Sequence, residues 1–232
     1  MCNGVFWDVI KSVFEGENMI DIEECIDELR KKRPLFISEA DFQVELAWIL
    51  MKKYPSAKVR CEYSPAFDPK MHIDILVIKD NKWIPIELKY KTKGCIKELD
   101  GEVYNLKNHG AKDVNCYLYN KDIERIETIR ENVKVFEEGY TIFITNEISY
   151  LKPPRKINCN YAAFSLEEGI VKTGELDWGE NTGTGTKKGN EAKIYLKDQY
   201  HINWELYSVI DKSGTGRFEI LINRIIGKNE DI

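Results

Sequence analysis

The chain has 232 residues, a formal net charge of −5, 43% hydrophobic residues and 31% charged residues, which is typical of a soluble protein with one large domain. The acidic balance argues against a protein that coats nucleic acid without specificity. No apolar stretch approaches the ~20 residues of a membrane helix, and no basic stretch followed by a long apolar core opens the chain, so we expect a cytoplasmic protein without membrane contact.

The N-terminal part of the chain is predicted to be helical. Apolar residues recur at helical spacing over residues 5–33, and we assign residues 1–37 to a helical N-terminal segment. Ser38 is predicted to cap the next helix, with Asp41 three residues later as an approximate capping box. This helix is expected to end at Lys53 or Tyr54, just before a proline.

From Ala57 the apolar period changes to two, which predicts strands. The expected strands are Lys58–Tyr63, Met71–Ile78, Trp83–Tyr90 and Tyr140–Thr145, with a turn at Asp80-Asn81 and helices over residues 97–107 and 121–138. The resulting order of elements is αβββαβ. It predicts an α/β core over residues 38–154, in which helices flank a mixed sheet.

Beyond the core, residues 155–232 are predicted to form a β-rich extension packed on it. Residues 181–189 are rich in glycine, threonine and lysine, which indicates a loop. The strands expected after this loop are Ala192–Leu196, Ile202–Ile210 and Phe218–Ile226, with a hairpin turn at residues 213–216.

Cysteine spacing points to reduced thiols. The six cysteines are scattered, and no pair has the spacing of a zinc site or a redox motif. Free thiols in a cytoplasmic protein are therefore expected, without structural zinc.

The most informative stretch is residues 71–93. Asp74 lies in one apolar run, and Glu87 and Lys89 end the next, where they share one face of a strand. Pairing of the two runs as a hairpin would place Asp74 beside them. Two carboxylates next to an ammonium suit metal-assisted hydrolysis of a phosphodiester. The alternative is a surface salt bridge between Glu87 and Lys89.

This arrangement resembles the PD-(D/E)XK nuclease superfamily, which has the restriction-endonuclease-like fold. The resemblance is carried by Asp74, by Glu87-Leu88-Lys89 and by the αβββαβ order over residues 38–146, about half of the chain. Ile73 stands where the family has a proline. Residues 108–127, together with residues 144–147, resemble bacterial members of the superfamily.

The resemblance implies a nuclease that uses Mg²⁺, for which Mn²⁺ can substitute, and that acts on DNA. The metal ligands would be Asp74, Glu87 and the backbone carbonyl of Leu88. Lys89 would orient or deprotonate the attacking water, or stabilise the charge on the phosphorus centre. The family also has an acid in its first core helix, for which Glu39 is favoured over Glu45.

Several polar residues around this site are candidates for substrate binding. They are Lys91, Lys93, Asp113, Asn115 and Arg125, and Asp122 lies among them as a further residue that could line the cleft. Solvated lysines and hydrogen bonds of turns and helix caps are the competing interpretation.

Two further interpretations concern function and assembly. One is a noncatalytic module that binds nucleic acid or protein on the same fold. The other is that the nuclease forms a homodimer or is a subunit of a defence system.

Overall fold

The computed structural model describes residues 19–154, 156 and 159–228, so the part of the first predicted helix before residue 19 lies outside the described residues. The helices are α1 (Ile22–Lys32), α2 (Glu39–Lys53), α3 (Lys112–Asn132) and the one-turn α4 (Thr184–Lys187). The strands are β1 (Lys58–Tyr63), β2 (Ile73–Lys79), β3 (Lys82–Lys91), β4 (Cys95–Leu99), β5 (Glu102–Leu106), β6 (Glu138–Thr145), β7 (Val171–Leu176), β8 (Ile194–His201), β9 (Trp204–Val209) and β10 (Arg217–Ile226).

Helix α2 begins and ends where its sequence predicts. The Ser38 hydroxyl accepts a hydrogen bond from the backbone N–H of Asp41, at 3.1 Å. In return, the Asp41 carboxylate accepts from the N–H of Ile37 at 2.9 Å, one residue before the position expected in a capping box. The bond to Ser38 satisfies one of the backbone donors that the first turn of a helix leaves free, and the bond from Ile37 fixes the residue before the cap.

A six-stranded mixed sheet in the order β1-β2-β3-β6-β10-β9 forms the centre of the protein, which confirms the mixed α/β class. Strands β1, β2 and β3 are antiparallel neighbours, whereas β3 and β6 are parallel and are connected through α3. The turn at Asp80-Asn81 is confirmed, and both residues have positive φ, 51° and 64°, as a two-residue hairpin turn requires.

The helices cover the two faces of this sheet. Successive side chains of β6 point to opposite faces of the sheet. Ile142 and Ile144 pack in the same core as α1 and α2, while Phe143 packs on the other face with α3. Both cores contain residues with no solvent exposure, such as Phe42 on α2 and Ile123 on α3.

The helix predicted over residues 97–107 is wrong, because this segment forms the hairpin β4–β5. Asp100 and Gly101 make its turn with φ of 51° and 80°, and Asp-Gly is a strong signal for such a turn. The second predicted helix, over residues 121–138, exists but covers Lys112–Asn132, so both of its predicted ends are wrong. Its start was missed because Ala111 precedes it without a side-chain cap.

The C-terminal part of the chain is rich in strands, as predicted, but β9 and β10 lie within the central sheet. Strands β7 and β8 form a separate two-stranded sheet, and β7 was not predicted. The buried carboxylate of Glu127 on α3 holds β8 in place. It accepts hydrogen bonds from the N–H groups of Lys197 and Asp198 and from the Tyr200 hydroxyl.

Two other expectations can be compared with the described residues. Their five cysteines are all free. Within the same residues, the helices are either too short or too polar to cross a membrane.

Lys172 on β7 is a lysine buried in the core beside α3. Its side chain is 5% exposed, and its ammonium donates to the carbonyl of Ala163 at 2.7 Å. Burial lowers the pKa of Lys172 from the ordinary 10.5 to about 8. The unfolded chain therefore binds more protons than the folded chain between these values, and the contribution of Lys172 to the free energy of unfolding rises with pH across them.

We predict that Lys172→Met changes the pH dependence of stability. Relative to wild type, the free energy of unfolding of the variant should fall by about 1–3 kcal/mol between pH 8 and pH 10.5, because the wild type loses its buried charge in this range. Urea denaturation at several pH values measures this difference. Lys188→Met, at an exposed position, is the control and should follow the wild type. A difference that does not vary with pH would contradict the prediction.

Candidate active site

The predicted acids meet where β2 and β3 pair. Ile75 lies opposite Ile86 in the antiparallel register, which brings Asp74, near the start of β2, next to Glu87 on β3. The Asp74 carboxylate accepts a hydrogen bond from the backbone N–H of Leu88, at 2.6 Å. The structure therefore places the two carboxylates on adjacent strands, with Lys89 two residues further along β3.

Helix α3 pairs two charged side chains of β3, Glu87 and Lys89. Arg125 donates to one Glu87 oxygen at 2.9 Å, and the Lys89 ammonium lies 2.5 Å from the carboxylate of Asp122. A third contact of 3.5 Å joins Arg125 to Asp122. The four side chains, which we call the β3–α3 charge network, contain two acids and two bases. Glu87 and Asp122 are 1% and 2% exposed, so each charge depends on its partners.

The pKa shifts in the site follow from burial and from neighbouring charges. Burial raises the pKa of Asp74 to about 6, against the opposing effects of the Leu88 N–H and Lys89. Burial and the nearby Asp122 raise the pKa of Glu87 well above its usual range, despite Arg125. Burial alone would lower the pKa of Lys89, but Asp122 raises it above its usual value, so Lys89 is an ammonium.

Of the two candidate acids on α2, Glu39 is the one that faces the site. Its carboxylate accepts from the backbone N–H of Tyr90 and from the ammonium of Lys91, both at 2.8 Å. Glu45 instead forms an ion pair with Arg33. A cavity of about 280 Å³ opens between α2 and the sheet. Its lining includes Glu39, Gln43, Glu62, Asp74 and Leu88.

The chemistry of the oxygen atoms suits a hard divalent cation such as Mg²⁺. The second carboxylate oxygen of Glu87 (Oε1) is buried and accepts no hydrogen bond from the described residues. Burial is the largest cause of the raised pKa of Asp74 and of Glu87, so water solvates both carboxylates poorly. Together with the Leu88 carbonyl they offer an all-oxygen ligand set. Within the described residues, no cluster of three or more His, Cys, Asp or Glu side chains is arranged around one point.

The candidate substrate-binding residues have different positions. Lys91 is held by Glu39, while the side chain of Lys93 is exposed. Asp113 accepts a hydrogen bond from Asn160 at 3.0 Å. Asn115 is buried, and its side-chain amide donates to the Gly110 carbonyl and to the Tyr150 hydroxyl, which makes it a structural residue at the start of α3.

Asp122 was only one of several polar residues in its segment, and nothing in the sequence selected it. Its side chain becomes informative through the partner on β3, which lies 33 residues earlier in the chain. Asp122 and Arg125 are three residues apart in a predicted helix and therefore share one helix face. This shared face is the sequence feature that could have indicated their common role.

Comparison of the chain with protein-family models, with curated proteins and with solved structures finds no match.

We predict that Arg125→Met destabilises the protein because it leaves Glu87 buried without its partner. The free energy of unfolding should fall by about 2–3 kcal/mol in urea denaturation near neutral pH. Adding Glu87→Gln to this variant should restore part of the loss, since the unpaired carboxylate is then removed.

The matched control is Lys193→Met, which breaks an ion pair with Glu175 whose side chains are both more than half exposed. This change should leave the free energy of unfolding nearly unchanged. Equal effects of the two substitutions would show that the β3–α3 charge network does not stabilise the fold.

Proposed function

We propose that the protein is a metal-dependent nuclease that hydrolyses phosphodiester bonds, with DNA as its substrate. The observation that carries this proposal is the position of Asp74 and Glu87 side by side on adjacent strands, with Lys89 on the same face as Glu87. The order α2-β1-β2-β3-α3-β6, with the hairpin β4–β5 inserted, supports a PD-(D/E)XK core. Cytoplasmic location is part of the same proposal.

The metal of this proposal is Mg²⁺, held by Asp74, Glu87 and the Leu88 carbonyl. When bound, Mg²⁺ supplies a Lewis acid that lowers the pKa of a water molecule and neutralises charge on the phosphate. The unpartnered Oε1 of Glu87 and the raised pKa of Asp74 support this ligand set.

In this proposal Lys89 provides a fixed positive charge and does not act as a base. Asp122 holds the ammonium in place and raises its pKa, which opposes loss of its proton at neutral pH. A fixed ammonium stabilises the negative charge that develops on the phosphate oxygens during attack, and it orients a water molecule by hydrogen bonding. Of the three roles considered for Lys89 from the sequence, its environment thus favours charge stabilisation and water orientation.

Glu39 and Arg125 position these groups. Glu39 ties the start of α2 to the end of β3 through the N–H of Tyr90, and it holds Lys91 at the edge of the site. Arg125 balances the charge of Glu87 from α3, which keeps one Glu87 oxygen in a fixed direction.

The second candidate function is a noncatalytic module that binds nucleic acid or protein. One observation favours it: each member of the β3–α3 charge network already has an oppositely charged partner, as a structural ion-pair network would require. The two functions differ in their use of metal and in turnover.

The cleavage assay uses Lys89→Gln, which removes the charge but can still donate to Asp122. Cleavage of DNA in Mg²⁺ should fall at least about 100-fold because the stabilising charge is lost, and urea denaturation of the same variant checks that its fold is kept. The control Lys82→Gln lies on the same strand but pairs with Glu137 at the far end. It should cleave at the wild-type rate. Cleavage that survives Lys89→Gln, or that continues in excess EDTA, would overturn the mechanism.

Metal binding separates the two functions. We expect calorimetric titration with Mn²⁺ to show binding by the wild type and its loss in Asp74→Asn and in Glu87→Gln, because each substitution removes an anionic ligand. Glu45→Gln, on the same helix as Glu39 but paired with Arg33, is the control and should bind normally. Absence of Mn²⁺ binding by the wild type would favour the noncatalytic module.

A further inference from the structure

The hairpin β4–β5 returns the chain to the end of β3 and places His109 directly beside the site. The backbone N–H of His109 donates to the Thr92 carbonyl at 2.8 Å. The backbone N–H of Thr92 donates in the other direction, to Nδ1 of the His109 ring, at 3.0 Å. Thr92 follows Lys91 at once, so His109 is fixed next to the lysine that Glu39 holds.

These contacts determine which ring nitrogen of His109 carries the proton. A peptide N–H can only donate, so Nδ1 accepts, and a neutral imidazole must then carry its hydrogen on Nε2. The Thr92 hydroxyl donates to the Lys107 carbonyl at 2.7 Å and lies 3.1 Å from Nδ1, so the peptide N–H, which can only donate, is the contact that decides the tautomer. Nε2 of His109 makes no hydrogen bond within the described part of the chain, and the ring is half-buried.

The surroundings favour the neutral ring. Burial lowers the pKa of His109, and the neighbouring Lys91 lowers it further. The site edge therefore offers a neutral N–H donor next to an ammonium. An oxygen of a phosphodiester is the ligand that this pair suits, since it accepts hydrogen bonds and carries negative charge.

We propose that His109 is a substrate-binding residue that donates its Nε2–H to a phosphate of the nucleic acid strand, beside the phosphate to be cleaved. This inference rests on the proposed function and deepens it. At this point of the cleft Lys91 provides the positive charge. His109 provides a hydrogen bond of fixed direction, because hydrogen bonds at its backbone N–H and at Nδ1 hold the ring in place.

The test measures binding of labelled single-stranded and double-stranded DNA oligonucleotides to the full chain in EDTA, by fluorescence anisotropy at a pH above neutrality. His109→Asn keeps an acceptor near the position of Nδ1 for the Thr92 N–H but removes the donor at Nε2. Binding should weaken about tenfold, the expected loss for a hydrogen bond to a charged group. His109→Gln, whose amide can reach the position of Nε2, should restore much of the affinity. His201→Asn, at an exposed histidine on β8, should bind like the wild type.

The salt dependence of binding separates a neutral donor from a simple positive charge. His109→Asn should weaken binding equally at all salt concentrations and leave the slope of log K against log salt unchanged. Lys93→Gln, which removes an exposed charge on the loop between β3 and β4, should reduce the slope by about 1.

The outcomes distinguish this inference from the proposed nuclease. If DNA is cleaved but His109→Asn binds like the wild type, the role of His109 is overturned and the nuclease stands. If DNA binds in a His109-dependent manner but is never cleaved, the nuclease is overturned and the binding role stands. Failure of both DNA forms to bind, or a change in the salt slope of His109→Asn equal to that of Lys93→Gln, overturns the role of His109.

Discussion

Buried charge at the junction of β3 and α3 is the constraint on which the rest of the structure depends. Glu87 and Lys89 lie on a strand at the centre of the sheet, where Glu87 is buried and the Lys89 side chain is only 13% exposed. Ionised groups in such a place must be paired or must bind a cation, because the loss of hydration costs several kcal/mol for each ion. Asp122 pairs with Lys89 and Arg125 pairs with Glu87. Both ion pairs require that α3 crosses the sheet directly over this part of β3.

The same constraint shapes the chemistry that the site can perform. A network of two acids and two bases keeps Lys89 protonated and one Glu87 oxygen occupied. The other Glu87 oxygen and the Asp74 oxygen that does not accept from Leu88 remain available. Groups fixed in this way need little reorganisation when charge develops on a substrate, which is the general basis of electrostatic catalysis. A purely structural network would use the same ion pairs, and so metal binding is the property that separates the two interpretations.

Local signals in the sequence were reliable where one type of interaction dominates. The cap at Ser38, the turn at Asp80-Asn81 and the alternation in β1 depend on neighbours within a few residues, and each was found at its predicted place. The apolar residues of segment 97–107 fit a helical period as well as an alternating one, so only its Asp-Gly turn distinguishes the hairpin from a helix. The start of α3 carries no capping side chain, so its first residues gave no signal.

By itself, the sequence determined the mixed α/β class, the core strands and the presence of two acids and a lysine at the end of a hairpin, because periodicity and turn chemistry are properties of short segments. Only the tertiary structure decided that Asp122 and Arg125 face β3, that β9 and β10 complete the central sheet, and that His109 lies beside Lys91. Arg125 and Glu87 are 38 residues apart in the chain. Contacts of this kind arise from how the helix and the hairpin pack against the sheet, and no local pattern encodes that packing.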